Sequence, residues 1–135
     1  MQKEILIVDG AGFCFGVKRA IDIAFDIAKK YNSGVFTLGP IIHNPQVVEK
    51  LKEMGVFPIE DVSEKNNIKT LIIRAHGIPK EKLNELKHLG YEIIDATCPF
   101  VKKAQRIAEK LSSEGYQVII IGDKEHPEVK GIHSY

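Results

Sequence analysis

A chain of 135 residues that is 44% hydrophobic and 27% charged is long enough for one compact domain with a conventional core, and its composition excludes a disordered or fibrous protein. Nineteen Lys and Arg against eighteen Asp and Glu leave a formal charge of +1, so no large single-sign field points to nucleic acid or to an anionic membrane, and any anion site must be local. The opening residues lack a basic stretch and a long apolar run, so a cytoplasmic location is expected. The two cysteines are then buried apolar groups, a redox pair or metal ligands.

Taken in order, short β-branched runs at residues 5–8, 35–38, 70–74, 92–95 and 118–121 read as buried strands. They alternate with helical patterns, which predicts an α/β fold of βαβ units on a mainly parallel sheet. The first helix carries Val17, Ala20, Ile21, Ala24, Ile27 and Ala28 on one face and Lys18, Asp22, Asp26 and Lys29 on the other. Asn44-Pro45 is a cap residue followed by a proline at the first helical position, which starts a helix over 45–54. A third helix begins at Pro79 with Leu83, Leu86 and Leu89 inward and stops at Gly90. Cys98-Pro99 opens a fourth, with Val101, Ala104, Ile107, Ala108 and Leu111 inward, and a fifth begins at Pro127. The polar stretch 60–67 reads as a solvated loop.

Cys14, His43, His76, Cys98 and His126 each follow a predicted strand and precede a predicted helix. In parallel sheets ligands bind outside the carboxyl ends of the strands, so these five turns can converge. The helix N-termini there favour an anion such as a diphosphate, and imidazoles add hydrogen bonds to its oxygens. Cys14 lies in Gly10-Ala11-Gly12-Phe13-Cys14-Phe15-Gly16, where glycines allow close approach of something bulky. The same glycines hint at a dinucleotide fingerprint, but the third falls one position late and the strand at 35–38 ends without an acidic residue. Cys98 sits at a helix start, which favours the thiolate form, although a buried structural cysteine is the alternative. His43 can equally cap its helix and His76 can be a turn residue. His126 with Glu128 suggests a proton relay beside an anion, or else a capping arrangement. His88 and His133 read as surface residues.

The runs Ala11-Gly12-Phe13-Cys14-Phe15-Gly16-Val17-Lys18-Arg19-Ala20, Ile42-His43-Asn44, Ala75-His76-Gly77, Asp95-Ala96-Thr97-Cys98-Pro99 and His126-Pro127-Glu128-Val129 together resemble the 4-hydroxy-3-methylbut-2-enyl diphosphate reductase family. The resemblance implies reductive loss of a hydroxyl to give isopentenyl and dimethylallyl diphosphates, in the methylerythritol phosphate route to isoprenoids. It implies that Cys14 and Cys98 are two of three thiolates on a 4Fe-4S cluster with one open iron. His43, His76 and His126 match the diphosphate pocket, Glu128 matches the proton-supplying acid, and a ferredoxin or flavodoxin is the expected electron donor.

The family has three α/β subdomains arranged as a trefoil. By that comparison residues 1–13 carry a strand of the third subdomain, 14–97 form a complete first subdomain, and 98–135 begin a second, incomplete one. The third cysteine has no counterpart here, so the chain is expected to be a fragment, inactive alone and prone to self-association through unpaired edges. Two rival readings are a non-enzymatic α/β module that binds a phosphorylated ligand, and a thiol redox or zinc protein; the absence of any Cys-x-x-Cys pair counts against the second.

Overall fold

The computed structural model describes residues 4–135, and its framework is a four-stranded parallel sheet in the order β2-β1-β3-β4. The strands are β1 (Val35–Leu38), β2 (Val56–Ile59), β3 (Thr70–Ile73) and β4 (Glu92–Asp95). The helices are α1 (Phe15–Lys30), α2 (Pro45–Glu53), α3 (Lys80–Lys87), α4 (Pro99–Ser113) and α5 (Pro127–His133), with a short 3-10 turn at Val62–Glu64.

Every residue of the two central strands is buried, because both faces of the sheet are covered. Side chains alternate across the sheet. Val35 and Ile72 face α1 and α2, where Ala20, Ile21, Ala24, Ala28 and Leu51 complete one core. Phe36, Leu38, Leu71 and Ile73 face the opposite way, against Val62, Leu83 and Leu86. The small residues of α1 let its axis come close to the strands, and their spacing at i, i+4 and i+8 is the helical stripe expected from the sequence.

Strand β2 is not among the strands expected from the sequence, and it contains Pro58, which has no N–H to give a ladder. It is accommodated because β2 is an edge strand, where the missing N–H leaves no partner unpaired. The expected strands at 5–8 and 118–121 are not formed: Ile7 is 87% and Ile121 96% exposed, and neither run pairs with a strand among the described residues. An isolated extended run gains no ladder hydrogen bonds and no second apolar face, so β-branched composition alone does not make it a strand. Residues 1–3 of the expected N-terminal strand segment lie outside the described residues.

Two helix faces also differ from expectation. Leu89 falls beyond the end of α3 and is exposed. On α4 the buried positions are Val101, Gln105 and Ala108, while Ile107 is half exposed. The face is rotated because α4 packs on α5 and the turn after β3, and not on a strand at 118–121.

The start of α2 is as the sequence indicates. Asn44 Oδ1 accepts a hydrogen bond from the Val47 N–H at 3.1 Å, and Pro45 occupies the first helical position. Asn44→Ala is expected to cost about 1 kcal/mol in urea denaturation, and a loss indistinguishable from zero would show that the cap is dispensable.

Candidate functional site

At the carboxyl end of the sheet, backbone hydrogen bonding continues past the strand ends and ties the turns together. The Ala75 N–H donates to the Ile41 carbonyl at 3.3 Å, and the Cys98 N–H donates to the Ala75 carbonyl at 2.9 Å. The turns after β1, β3 and β4 are therefore stacked in register, and His43, His76 and Cys98 are carried on one scaffold. The imidazole centroids of His43 and His76 lie 4.7 Å apart, and those of His76 and His126 5.5 Å apart in an edge-on arrangement. Three histidines separated by 33 and 50 positions in sequence thus form one contiguous cluster. Pro40, Ile42, His43, Asn44, Pro45 and Val48 line an open cleft beside it.

The cysteines come from the same side. Cys14 is the exposed N-cap of α1 and Cys98 the half-buried N-cap of α4. Gly16, in the first turn of α1, is packed so closely on Cys98 that an added Cβ would collide with Cys98 Sγ and approach Cys98 Cβ to 3.0 Å. Arg19, one turn further on, donates from Nη1 to the Thr97 carbonyl at 3.3 Å and fastens α1 to the turn that carries Cys98. That turn is itself held by Asp95, whose Oδ1 accepts from the Thr97 N–H at 2.9 Å and whose other oxygen pairs with Lys102 at 2.6 Å. Burial pushes the Asp95 carboxyl up, but the bonds from Lys102 and Thr97 outweigh it and hold the group below its ordinary range.

His126 caps α5 with its own ring: Nδ1 accepts from the Glu128 N–H at 3.3 Å. An accepting Nδ1 leaves Nε2 as the protonated nitrogen of a neutral ring, so His126 offers an N–H donor. His126 thus caps its helix, and its hydrogen bond to Glu128 runs through the backbone. Glu128 sits half-buried in the first turn of α5. His88 and His133 are exposed, away from this cluster, at the ends of α3 and α5.

The His76 ring is pushed down to about 4, chiefly by burial and further by His43, Arg74 and His126, so it is neutral near pH 7. Its Nδ1 is buried without a hydrogen-bond partner among the described residues. An unfolded histidine takes up its proton near pH 6.5, whereas this folded one resists until about 4. Stability should therefore be unaffected by His76 above pH 6.5, fall as the pH drops from there to about 4, and level off below. Allowing for solvent screening of a partly exposed ring, the loss is about 1–2 kcal/mol. Urea midpoints for wild type and His76→Gln at pH 7 and pH 4.5 check this, since the variant should lose that share of the pH dependence.

Gly16 belongs to the glycine run expected to allow a close approach, and its lack of a side chain admits the Cys98 sulfur. Two further residues important to this geometry, Arg74 and Gln105, were not singled out in the sequence. Arg74 lies across Gly39, half-buried, with its Nε unpaired among the described residues; burial lowers its pKa and Glu60 partly restores it. Gln105 is not among the α4 residues expected to face inward, yet it is buried. Among the described residues no group of three or more His, Cys, Asp or Glu side chains is placed to hold a metal ion, and no helix is long and apolar enough to cross a membrane.

Comparison with known proteins adds a family. The sequence profile of the LytB protein family matches residues 5–135. A 4-hydroxy-3-methylbut-2-enyl diphosphate reductase of Geobacter sp. (strain M21) is 54% identical over 132 residues, covering 98% of this chain and 46% of the relative. The reductase of Caldanaerobacter subterraneus subsp. tengcongensis is 53% identical over 135 residues, covering 47% of its length. Among solved structures, the (E)-4-hydroxy-3-methyl-but-2-enyl diphosphate reductase described as the terminal enzyme of the non-mevalonate pathway superposes with a TM-score of 0.83 at 50% identity, over 96% of this chain and 46% of that one. The reductase from Plasmodium falciparum gives 0.88 at 35% identity, over 93% and 40%. The chain thus spans about half the length of the relatives it matches, and with a profile match over nearly all of its residues it belongs to the LytB protein family.

Proposed function

We propose that this chain supplies the diphosphate-binding wall and two cluster-holding thiolates of a reductase acting on 4-hydroxy-3-methylbut-2-enyl diphosphate. The observation that carries the reading is the juxtaposition of three imidazoles with the Cys98 turn, locked by the Ala75 hydrogen bond, at the carboxyl end of one parallel sheet.

In this reading the anionic diphosphate docks on His43, His76 and His126. His126 donates from Nε2, and the N-terminus of α2 adds the positive end of its dipole. A bound dianion also offsets the burial that keeps His76 neutral, so binding takes up a proton at that ring. Glu128, in the first turn of the helix that His126 caps, holds the proton delivered to the substrate.

Cys14 and Cys98 would hold a 4Fe-4S cluster. The donor set fits: both residues are thiols at the N-caps of helices, and Gly16, two residues after Cys14, leaves room for the Cys98 sulfur against the first turn of α1. When bound, such a cluster supplies electrons and a Lewis-acidic iron at which a hydroxyl can leave. The third thiolate belongs to a part of the protein outside this chain, and a ferredoxin or flavodoxin is the electron donor. The products are isopentenyl and dimethylallyl diphosphates.

The same reading gives residues 14–97 as the first subdomain of a trefoil, 98–135 as the beginning of the second, and 1–13 as a contribution to the third. Exposed apolar runs at 5–8 and 118–121 would then make the isolated chain self-associate, which sedimentation velocity tests directly.

Titration of the chain with inorganic pyrophosphate, followed through the histidine ring resonances, tests the binding half of the proposal. His43, His76 and His126 should respond together, and His88 and His133 should stay still. A uniform response of all five rings, or none, would contradict it.

A further inference from the structure

Gln105 is the one polar side chain that α4 buries, at 6% exposure, and its amide nitrogen has no hydrogen-bond partner among the described residues. Its amide end lies between two glycines. A Cβ at Gly77 would stand 3.0 Å from Gln105 Nε2, and one at Gly131 would stand 3.3 Å from it. Gly77 directly follows His76, and Gly131 lies in α5, the helix that His126 caps. A Cβ at Gly131 would also be 3.8 Å from the carbonyl oxygens of His76 and Ile78, so this turn and α5 are in contact around the amide. Ser134 closes the same corner: its hydroxyl accepts from the Lys80 N–H at 2.9 Å and donates to the Gly131 carbonyl at 2.8 Å.

We propose that Gln105 is a positioning residue, a wedge on α4 that sets the distance between the His76 turn and α5 and thereby the spacing of the His76 and His126 rings. The inference rests on the histidine cluster being the diphosphate site. Burying an unpaired amide costs stability, and an apolar side chain of similar size would pack there without that cost. A leucine or methionine fits the helix as well as glutamine does. What glutamine adds is a planar polar end that fits against two bare backbone segments and helps hold the turn at a fixed separation from α5. At metal sites, groups that orient the ligands from behind change affinity by about tenfold or more when removed, without touching the metal, and the same scale is expected for an anion site built on oriented imidazoles.

The test uses the 135-residue chain with Gln105→Leu and Gln105→Met. Both variants should fold, with an unfolding midpoint equal to or above wild type. Inorganic pyrophosphate should bind about tenfold more weakly by calorimetry, and the ring titration of His76 in the free chain should move toward that of an ordinary histidine as water reaches it. Unchanged pyrophosphate affinity together with an unmoved His76 titration would overturn the proposal. If wild type itself fails to bind pyrophosphate, the functional reading falls, and the His76 titration alone decides for or against the wedge.

Discussion

Gly16→Val is expected to drive α1 away from the Cys98 turn and to destabilise the chain by about 1–3 kcal/mol, the cost of forcing extra methyl groups into a filled site. The cause is local and directional. The first turn of α1 is buried at Gly16, and the space a Cβ would need is taken by the sulfur and Cβ of Cys98. Neither side yields easily: the Cys98 backbone is bonded to Ala75, and α1 is fastened by Arg19 to the Thr97 carbonyl. Relief must come from loosening α1, which should expose the half-buried Cys98 to thiol reagents. Lys103→Ala, on the exposed face of α4, serves as the control. Urea denaturation and the rate of Cys98 modification in a Cys14→Ser background report the two effects separately. A valine variant with wild-type stability and wild-type Cys98 reactivity would mean that the close packing at Gly16 has no consequence.

Cys98→Ser is expected to abolish iron retention. Serine keeps the size of the side chain and the helix start, but its hydroxyl is not deprotonated at neutral pH and is a poor ligand for iron in a sulfur-bridged core. The measurement is anaerobic loading of the 135-residue chain with iron and sulfide, in the presence of a small thiol to complete coordination, followed by iron analysis after desalting. Wild type should retain iron, while Cys98→Ser and Cys14→Ser should each retain little. Equal iron in all three proteins would remove the thiols from the proposed centre. A colourless wild type with two unreactive thiols would favour a simple phosphate-binding module.

The turns at Asn44-Pro45 and Cys98-Pro99 were legible because each carries two independent signals: a β-branched run ends, and a cap followed by proline begins a helix, so that parallel topology places both at one end of the sheet. The helix start at His126-Pro127 was legible from its cap and proline alone, because no strand forms before it. The burial of β1 and β3 on both faces was legible for the same reason, as continuous apolar runs. Other features depend on partners that one-dimensional patterns do not contain. Residues 5–8 and 118–121 have strand composition but pair with no strand among the described residues, and most of their side chains are exposed. Pro58 hides an edge strand because edge position is a property of the assembled sheet. Gln105 disrupts the apolar stripe of α4, and only the three-dimensional contact with Gly77 and Gly131 explains why it is buried in place of Ile107. Likewise, Gly16 gains its importance from a residue 82 positions away.

The claim on which the function rests is that the thiols of Cys14 and Cys98 face one another across the start of α1. Dibromobimane becomes fluorescent when it bridges two neighbouring thiols within one molecule. The folded monomer should form the intramolecular Cys14–Cys98 bridge rapidly, and lose that reaction in urea. Two singly alkylated cysteines with no bridged product, from a protein shown to be folded under the same conditions, would contradict it.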